Sequence, residues 1–218
     1  MTLAEENYLK AIFHITQETS NGASTSAISK SLKTKAASVS DMLRKLSEKD
    51  YISYEKYYGA SLTKKGQYCA LMIIRRHRLW ETFLVEKLHF GWDEVHAVAE
   101  DLEHVKNDQL INALDAYLGY PKIDPHGDPI PDSTGKLTTL EKKLLSECQS
   151  GDTGSIIGVK DSSPEFLKLL NRRNIAIGSH IIIENFEDFD NSISLRLDNH
   201  PMMLTNKLAE NIYVSVSN

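Results

Sequence analysis

The chain has 218 residues, of which 41% are hydrophobic and 25% charged, and its formal net charge is −5. These values are ordinary for a globular protein of one or two domains. No apolar run approaches the ~18 residues of a membrane span, and MTLAEENYLK lacks the basic and apolar pattern of a secretory signal, so we expect a cytoplasmic protein without a membrane partner.

The charge is unevenly distributed along the chain. Residues 1–65 contain ten Lys or Arg against seven Asp or Glu, whereas acidic residues dominate the remainder. A basic segment in an acidic protein is weak evidence for a surface that binds phosphates. A nucleic-acid-binding motif is therefore expected, if anywhere, in the first 65 residues.

The first 65 residues follow the order of a winged helix-turn-helix. Apolar residues at helical spacing predict helices over residues 7–18, 26–32 and 36–50, with NGAS ending the first helix and LKTK joining the other two. YISYEKYYGASLT then alternates and contains a glycine, which predicts a hairpin with its tip at residues 55–60. In a winged helix-turn-helix the third helix enters the major groove of DNA.

The third helix and the hairpin tip supply the candidate DNA contacts. The small residues at the start of the helix permit close approach, and those expected to face base edges are Ala37, Ser38 and Asp41. The residues expected to contact the DNA backbone are Lys35, Ser40, Arg44 and Lys45 on the helix, with Lys56, Tyr57 and Tyr58 at the tip. The alternatives are an ordinary soluble helix and a winged domain that binds protein.

The next two helices each offer imidazoles and carboxylates. A helix is predicted over residues 67–88, where RRHRLWE places His77 and Glu81 four residues apart, and another follows GWDE. Read as helix, HAVAEDLEHV brings two imidazoles and two carboxylates within an arc of ~100°. These residues are His96, Glu100, Glu103 and His104. Such a group forms a solvated charged face, a proton-transfer pair or one wall of a metal site, and three pairs on two adjacent helices favour the metal site.

The available ligands indicate which metal is expected. Cys69 and Cys148 are isolated and in no CxxC spacing, so both are expected to be packing residues. Oxygen and imidazole donors without thiolate suit Mn²⁺ or Fe²⁺, although Zn²⁺ or Co²⁺ would also bind in vitro. The sequence has no HExxH, which argues against a zinc protease.

Catalysis is not expected from this pattern. A di-iron carboxylate enzyme needs ExxH on each of two helices, and Asp93 with His96 approximates that spacing once. We therefore predict a non-catalytic protein. The main alternative is a di-metal carboxylate enzyme or metal-buffering protein that carries a winged-helix domain. A third is a winged-helix regulator that ignores metal, with the His and Glu residues as surface charge.

The remaining sequence predicts a helix with an apolar stripe and a small β domain. A helix over residues 107–118 carries an apolar stripe that reads as core or dimer surface, namely Leu110, Ile111, Leu114 and Leu118. After the Pro-rich KIDPHGDPIP we predict a helix over residues 138–148. SIIGVK, GSHIIIENF, SISLRLD and NIYVSVS are β-type runs, and SPEFLKLLNRR is a helix begun by Ser163 and Pro164, which together predict a small barrel.

The predicted fold is mostly α, with a winged helix-turn-helix over residues 1–65, a helical metal-binding domain over 66–135, and a linker helix with a small β-barrel over 136–218. The motifs AEENYLKAI, YEKYYGASLTKKG, RRHRLWE, VHAVAEDLEHV and PHGDPIP resemble those of the diphtheria toxin repressor and manganese-transport regulator family of metal-dependent repressors. The resemblance runs over nearly the whole chain. It implies that residues 66–135 form a metal-binding and dimerisation domain and that the barrel is SH3-like. It also implies a homodimer that binds a palindromic double-stranded DNA operator near metal-uptake genes when metal is bound.

The resemblance also implies a set of metal ligands. The positions that match the family's two neighbouring sites are His77, Glu81, His96, Glu100, Glu103 and His104. Iron-type members have Cys where this chain has Glu100, and manganese-type members have a carboxylate there, so we expect Mn²⁺ ahead of Fe²⁺. The first-helix ligand position, Met or Asp in the family, falls on Asn7, which offers a neutral amide oxygen. Lys10 replaces a further carboxylate of some manganese-type members, which disfavours a two-ion cluster of that kind.

Further ligands are expected from the second half of the chain. Asp124 and His126 fall where the longer members have Cys and His, and the alternative for this loop is a rigid linker. Asp161 is the candidate donor from the SH3-like domain, and Glu165 is a poorer one. Both are also explained as acidic residues at the start of a helix. For Asn7 the alternative role is a helix N-cap.

Overall fold

The computed structural model describes residues 1–19, 22–55, 58–138 and 141–217. Eight helices and eight strands follow one another through these ranges. The helices are α1 Leu3–Glu18, α2 Thr25–Ser31, α3 Ala36–Glu48, α4 Lys64–Leu88, α5 Val95–Leu102, α6 Asp108–Tyr117, α7 Pro164–Arg172 and α8 Asn206–Ala209. The strands are β1 Ile52–Glu55, β2 Gly59–Leu62, β3 Lys143–Leu144, β4 Thr153–Val159, β5 His180–Phe186, β6 Ile193–Leu197, β7 His200–Leu204 and β8 Ile212–Ser217.

The chain forms two compact units, each made of several segments. The first comprises Met1–His77, Asp101–Asn112 and Pro131–Leu137, and the second comprises Arg78–Glu100, Ala113–Ile130 and Thr138–Asn218. Helix α4 contributes its first half to the first unit and its second half to the second. Among the described residues no helix has both the length and the apolar character needed to cross a membrane.

The first unit contains the predicted winged helix-turn-helix. Helices α1, α2 and α3 pack around an apolar core with β1 and β2, which pair antiparallel from Ile52 opposite Leu62 to Glu55 opposite Gly59. The fully buried side chains of this core include Leu9, Ile12, Ile28, Val39, Leu43 and Leu46. These are the apolar positions of the three predicted helices, so the amphipathic spacing is what brings the helices together. Lys56 and Tyr57, the expected contacts of the hairpin tip, lie outside the described residues.

Helix α1 begins earlier than predicted because of its capping residues. Thr2 Oγ1 accepts a hydrogen bond from the backbone N–H of Glu5 at 3.3 Å, and Glu5 Oε2 accepts one from the Thr2 N–H at 2.9 Å. This reciprocal pair satisfies two of the unpaired N–H groups at the helix start. The alternative role of Asn7 as an N-cap was therefore wrong, since Asn7 lies inside the helix.

The second unit contains a six-stranded antiparallel sheet in the order β3-β8-β4-β5-β6-β7, the predicted SH3-like domain. Helix α7 starts where Ser163 and Pro164 predict, and Ser163 Oγ accepts a hydrogen bond from the Phe166 N–H. The apolar core lies between α7 and the alternating inward residues of the sheet. It includes Ile156, Leu167, Leu170, Ile183, Leu195, Ile212 and Val214.

The predicted helix over residues 138–148 was wrong. In its place the structure has β3, paired with β8, and a 3-10 turn at Leu145–Glu147, while residues 139 and 140 are not described. Leu145 is completely buried in the sheet core, so tertiary packing overrides the local helical preference. Strand β7 was not predicted because it contains Pro201, which marks a strand at the edge of a sheet.

Candidate functional site

The carboxylate and imidazole side chains of interest form two clusters, one in each unit. The first cluster consists of Glu6, Lys10, His77, Glu103 and His104. The second cluster consists of Glu81, His96, Glu100, Asp124 and His126. All six predicted ligands of the two central helices therefore fall in one cluster or the other, and the assignment of each as a metal ligand remains a prediction.

Glu103 lies at the centre of the first cluster and is completely buried. Both of its carboxylate oxygens lie 2.8 Å from Lys10 Nζ, and Oε2 lies 2.7 Å from His77 Nδ1. Burial alone would raise the pKa of Glu103, but the contact with His77 and the charge of Lys10 lower it. Glu103 is thus held as a carboxylate, the form that binds a metal ion.

The sequence predicted that Glu103 and His104 lie on the same helix as His96 and Glu100. This prediction was wrong. Helix α5 ends at Leu102, and the next two residues form a turn. Arg76 Nε donates to the Glu103 carbonyl oxygen at 2.5 Å, so a side chain takes the place of the next intrahelical bond. The turn directs the Glu103 side chain toward α1.

Glu6 belongs to the first cluster although sequence analysis did not select it. It is 1% exposed, and its Oε2 lies 2.7 Å from His104 Nδ1 while its Oε1 lies 3.0 Å from Lys106 Nζ. The other ring nitrogen, His104 Nε2, lies 3.8 Å from Glu103 Oε1. A carboxylate on one imidazole nitrogen commonly orients the other toward a metal ion. The sequence signal that could have identified Glu6 is its position four residues before Lys10, which puts both on one face of α1.

Asn7 provides a direct test of whether the first cluster suits a cation. Its Oδ1 is buried and has no hydrogen-bond partner within the described residues. A buried carbonyl oxygen left unsatisfied costs about 1–3 kcal/mol. Asn7 and Lys10 are three residues apart and therefore lie on the same side of α1. The oxygen fits a metal ligand, and its coordination of metal stays a prediction.

In the second cluster, His96 joins α5 to the second half of α4. His96 Nδ1 lies 3.3 Å from Glu81 Oε1, and His96 Nε2 lies 3.6 Å from Glu100 Oε1. Glu81 is buried, whereas the side chains of His96 and Glu100 are 55% and 36% exposed. The cluster therefore has a closed side at Glu81 and an open side at His96.

Three residues form the closed side of the second cluster. Glu81, Asp124 and His126 are each at least 95% buried, and each has one donor atom within 4.8 Å of the others. Burial, followed by the charge of Glu81, raises the pKa of Asp124 to about 6. Burial would lower the pKa of His126, but the carboxylates of Glu81 and Asp124 raise it to about 9. Two buried carboxylates with an imidazole are a donor set that a divalent cation stabilises.

The loop that carries Asp124 and His126 is organised by its own carboxylate and by Arg78. Asp124 Oδ1 accepts from the N–H groups of His126 and Asp128 at 2.8 and 2.9 Å, and Arg78 Nε lies 3.4 Å from Asp124 Oδ2. The carboxylate thus has a structural role in the loop. Gly127 has a φ of +85°, a conformation that glycine adopts without strain.

Trp92, which lies between α4 and α5, fixes the His126 ring, and strand β4 holds its backbone. His126 Nε2 donates to the Trp92 carbonyl oxygen at 2.7 Å, and the Trp92 indole stacks on the imidazole with centroids 6.1 Å apart. The His126 carbonyl oxygen in turn accepts from the N–H of Val159 in β4 at 3.0 Å. When the proton of the neutral ring is on Nε2, the nitrogen able to bind a metal is Nδ1, which lies 3.5 Å from Glu81 Oε2.

Asp161, the candidate donor from the SH3-like domain, has a local role. Its Oδ1 accepts a hydrogen bond from the N–H of Ser163 at 2.8 Å, just before α7. Glu165 lies in the first turn of that helix. The alternative for both, that they are acidic residues at a helix start, agrees with this geometry, and a ligand role for Asp161 remains a prediction.

The predicted DNA contacts that the structure describes lie on one exposed surface of α3 and just before it. The exposed residues are Lys35, Ala37, Ser38, Ser40, Asp41, Arg44 and Lys45. Arg44 pairs with Asp41 at 3.1 Å, and Ser40 Oγ donates to the Ala36 carbonyl oxygen at 3.2 Å. Tyr58 of the hairpin is 77% exposed. Contact with DNA is a prediction for each of these residues.

Three family models match the chain. They are the iron dependent repressor N-terminal DNA binding domain at residues 1–60, the iron dependent repressor metal binding and dimerisation domain at 63–132, and the FeoA domain at 143–216. The chain is also 32% identical over 123 residues to the HTH-type transcriptional regulator MntR of Oceanobacillus iheyensis, a match that covers 56% of this chain and 82% of that protein. The chain belongs to the diphtheria toxin repressor and manganese-transport regulator family.

Solved structures extend the relationship of this family member over its full length. A manganese-dependent transcriptional repressor in complex with manganese has a TM-score of 0.89 and 35% identity, covering 97% of this chain and 99% of that one. A probable metal transport system membrane protein from Chlamydia trachomatis is 47% identical over 76 residues, which are 35% of this chain and 17% of that protein. The fold predicted for a family member with a C-terminal SH3-like domain is confirmed.

Proposed function

We propose that this protein represses the transcription of metal-uptake genes when it binds Mn²⁺ or Fe²⁺. It acts as a homodimer on a palindromic operator, in the cytoplasm where that DNA lies, and carries out no catalysis. The ligands are His77, Glu103 and His104 of the first cluster, Asn7 of α1, and the five residues of the second cluster, with Asp161 as a further donor. The bound ion supplies positive charge to carboxylates that are otherwise crowded together.

The observation that carries this proposal is the closed side of the second cluster. Glu81 and Asp124 are both buried, and each lies close enough to the other to raise the pKa of Asp124. Buried like charges destabilise a fold unless a cation lies between them or one is protonated. A divalent ion bound through Glu81, Asp124 and His126 Nδ1 supplies such a cation in place of the proton on His126.

The donors favour manganese over softer ions. The clusters contain carboxylate oxygens, imidazole nitrogens and the amide oxygen of Asn7, whereas Cys69 and Cys148 contribute to the apolar cores of the two units. Harder divalent ions prefer such donors, although raw affinity in solution follows the Irving–Williams order. We therefore assign Mn²⁺ as the first candidate and Fe²⁺ as the second.

Helix α1 connects the first cluster to the DNA-reading helix. On one face it carries Glu6, Asn7 and Lys10, and on another it places Leu9 in the same buried core as Leu43 of α3. Because protein cores are close-packed, a shift of α1 is transmitted to α3. Metal binding at the first cluster thus biases the position of the helix that enters the major groove.

DNA binding with and without metal tests the proposal. A random-sequence duplex library is selected with the protein and MnCl₂, and binding of the selected duplex is measured by fluorescence anisotropy in MnCl₂ and in EDTA. We expect at least a tenfold loss in EDTA. Because linkage is reciprocal, the duplex should tighten Mn²⁺ binding by the same factor, typically about 5- to 150-fold.

Matched glutamate variants show whether the clusters cause the metal response. Glu103→Gln and Glu81→Gln remove a charge without removing volume, and each should abolish the difference between MnCl₂ and EDTA. Glu5→Gln is the control, because Glu5 is a buried glutamate of α1 that pairs with Lys49 outside both clusters. Equal duplex binding in MnCl₂ and EDTA would favour the regulator that ignores metal. Metal binding without any selected duplex would favour the enzyme or metal-buffering alternative.

The proposed dimer is tested separately. Of the predicted apolar stripe on α6, Ile111 and Leu114 are buried within the chain, whereas Leu110 is 42% exposed. Leu110→Glu should therefore shift the molar mass in light scattering from that of a dimer toward the 24.6 kDa of one chain. An unchanged mass would exclude this part of α6 from the interface.

A further inference from the structure

A carboxylate lies on the centre line of the exposed face of α3. The buried residues of this helix are Val39, Leu43 and Leu46, and a turn of about 100° per residue puts Asp41 on the opposite side. Ala37, one turn nearer the start of the helix on the same line, carries only a methyl group. Since the N-terminal residues of a recognition helix contact base edges, Asp41 is the first side chain on this line able to form a hydrogen bond with a base.

An acid at this position opposes DNA binding unless it has a partner. Duplex DNA carries about one negative charge per 1.7 Å of its axis, and the other charged residues nearby are exposed and basic, namely Lys35, Arg44 and Lys45. Arg44 Nη2 lies 3.1 Å from Asp41 Oδ1 and offsets the charge of the carboxylate. Because both side chains are about two-thirds exposed, the pair contributes little to the stability of the fold.

One oxygen of the carboxylate is directed by Arg44 and the other is available to a base. Among the described residues Asp41 Oδ2 has no hydrogen-bond partner, whereas Oδ1 accepts from Arg44. The neighbouring hydroxyl of Ser40 donates to the Ala36 carbonyl oxygen, so it is already used within the helix. Asp41 therefore offers an acceptor, held by Arg44, at the centre of the surface expected to face the major groove.

A carboxylate discriminates between bases because it accepts hydrogen bonds and donates none. In the major groove, guanine presents the acceptors N7 and O6, and thymine presents the acceptor O4, all of which repel a carboxylate. Cytosine and adenine present amino groups at N4 and N6, which donate. The amino group of adenine lies beside the acceptor N7 of the same ring, whereas cytosine has no such acceptor on its major-groove edge. Cytosine is thus the better fit.

We propose that Asp41 is a specificity-determining residue that requires a base amino group, from cytosine or less favourably adenine, at one position of each operator half-site, and that rejects guanine and thymine there. Arg44 is the positioning residue that holds the carboxylate and offsets its charge near the phosphates. This inference rests on the proposed function, since it requires that α3 enter the major groove of an operator.

Base-by-base binding measurements test the proposal. Each position of the duplex selected in MnCl₂ is changed to all four base pairs, and binding is measured by fluorescence anisotropy in MnCl₂. The variants are Asp41→Asn, which keeps the size of the side chain, and Asp41→Ala. The control is Glu48→Gln, because Glu48 is an exposed acid on the same line of α3, about two turns farther from its start. Circular dichroism checks folding, and if one Asp41 variant does not fold, the other decides.

We expect one position in each half-site at which the parent protein favours cytosine or adenine over guanine and thymine by about fivefold or more. Asp41→Asn should lose this discrimination, because an amide N–H donates to the acceptors of guanine and thymine. Asp41→Ala should lose it as well, while the preferences at other positions stay unchanged. Glu48→Gln should keep the whole pattern of the parent protein.

A base analogue isolates the contact from other effects of the substitution. The preferred base is replaced by the analogue that lacks its amino group, which is 2-pyrimidinone for cytosine and purine for adenine. The parent protein should lose binding by the factor with which it discriminates, whereas Asp41→Ala should be unaffected, because its partner for the amino group is already absent. The base that responds identifies which amino group Asp41 contacts.

Three results would overturn the inference while the parent protein binds the selected duplex in MnCl₂. The first is equal base preference in the parent protein and the Asp41 variants at every position. The second is a preference for guanine or thymine at the position that responds to Asp41. The third is an equal effect of the analogue on the parent protein and Asp41→Ala. Failure of the parent protein to select any duplex in MnCl₂ would instead overturn the proposed function.

Discussion

Metal binding at the second cluster should release a proton from His126. The neighbouring carboxylates raise the pKa of this imidazole to about 9, although its burial acts in the opposite direction. At pH 7 the ring is therefore protonated, and Nδ1 has to lose its proton before it can bind a metal. Since one pH unit corresponds to 1.36 kcal/mol, removing the proton at pH 7 costs about 2.7 kcal/mol, or about 100-fold in affinity.

The sign and slope of the pH dependence follow from these values. Affinity for Mn²⁺ should rise with pH, by about tenfold between pH 7 and pH 8, and level off above the His126 pKa of about 9. Below pH 6 the dependence should steepen, because Asp124, whose pKa is raised to about 6, must also lose a proton. About one proton per ion should be released at pH 7.

Calorimetry in two buffers of different ionisation enthalpy measures this release directly. A His104→Gln background removes a predicted ligand of the first cluster, so that the heat reports on the second. The difference in observed enthalpy between the buffers gives the number of protons per ion. Equal enthalpies in the two buffers, together with equal affinities at pH 7 and pH 8, would refute the role assigned to His126.

Three further predictions concern other parts of the molecule. Asn7→Asp should tighten Mn²⁺ binding in calorimetry. Asn7→Leu should still bind metal at the second cluster, but its binding to the duplex should no longer depend on Mn²⁺. If duplex binding by Asn7→Leu depends on Mn²⁺ as in the parent protein, Asn7 is not a ligand. Gly127→Ala should lower the free energy of unfolding by ~3 kcal/mol in urea titrations, because its Cβ would lie 2.0 Å from the Ile157 carbonyl oxygen. Gly151→Ala, at a φ of +93° but with nothing within 4 Å of the added Cβ, is its control and should cost clearly less. Lys45→Ala should weaken binding to all duplexes and reduce the salt slope by about one, and a loss confined to one duplex sequence would contradict a phosphate contact.

Much of the fold follows from the periodicity of apolar residues. The three helices of the winged domain were predicted because their apolar spacing fills one core, and Ser163 with Pro164 marked the start of α7. The region around Leu145 could not be predicted in this way. Its residues have helical preferences, and their strand and 3-10 conformation depends on pairing with β8, which is more than 60 residues away in the sequence.

Most residues of the site could be predicted from the sequence, but their separation into two clusters could not. Residue types and spacing predicted which imidazoles and carboxylates take part. The helical pattern also placed Glu103 and His104 on α5, but α5 ends at Leu102, where Arg76 donates a hydrogen bond to the Glu103 carbonyl oxygen. The partners of Glu6 were likewise inaccessible to a local pattern. They come from α4 and from the turn after α5, and only the tertiary structure brings them to α1.

The hydrogen bond from Val159 to the His126 carbonyl oxygen has a consequence for how the protein assembles during synthesis. Chains emerge from the ribosome amino terminus first, and domains fold as they emerge. Every residue of the first cluster has been made by the time His104 is added, whereas the loop that holds His126 gains its hydrogen bond to β4 only after Val159 is made. We expect a nascent chain to complete the first cluster earlier, and protection of the Val159 N–H in pulsed hydrogen exchange that preceded protection of the α1 amides would contradict this order. For part of its synthesis the polypeptide would then be a folded DNA-reading module whose second cluster does not yet exist.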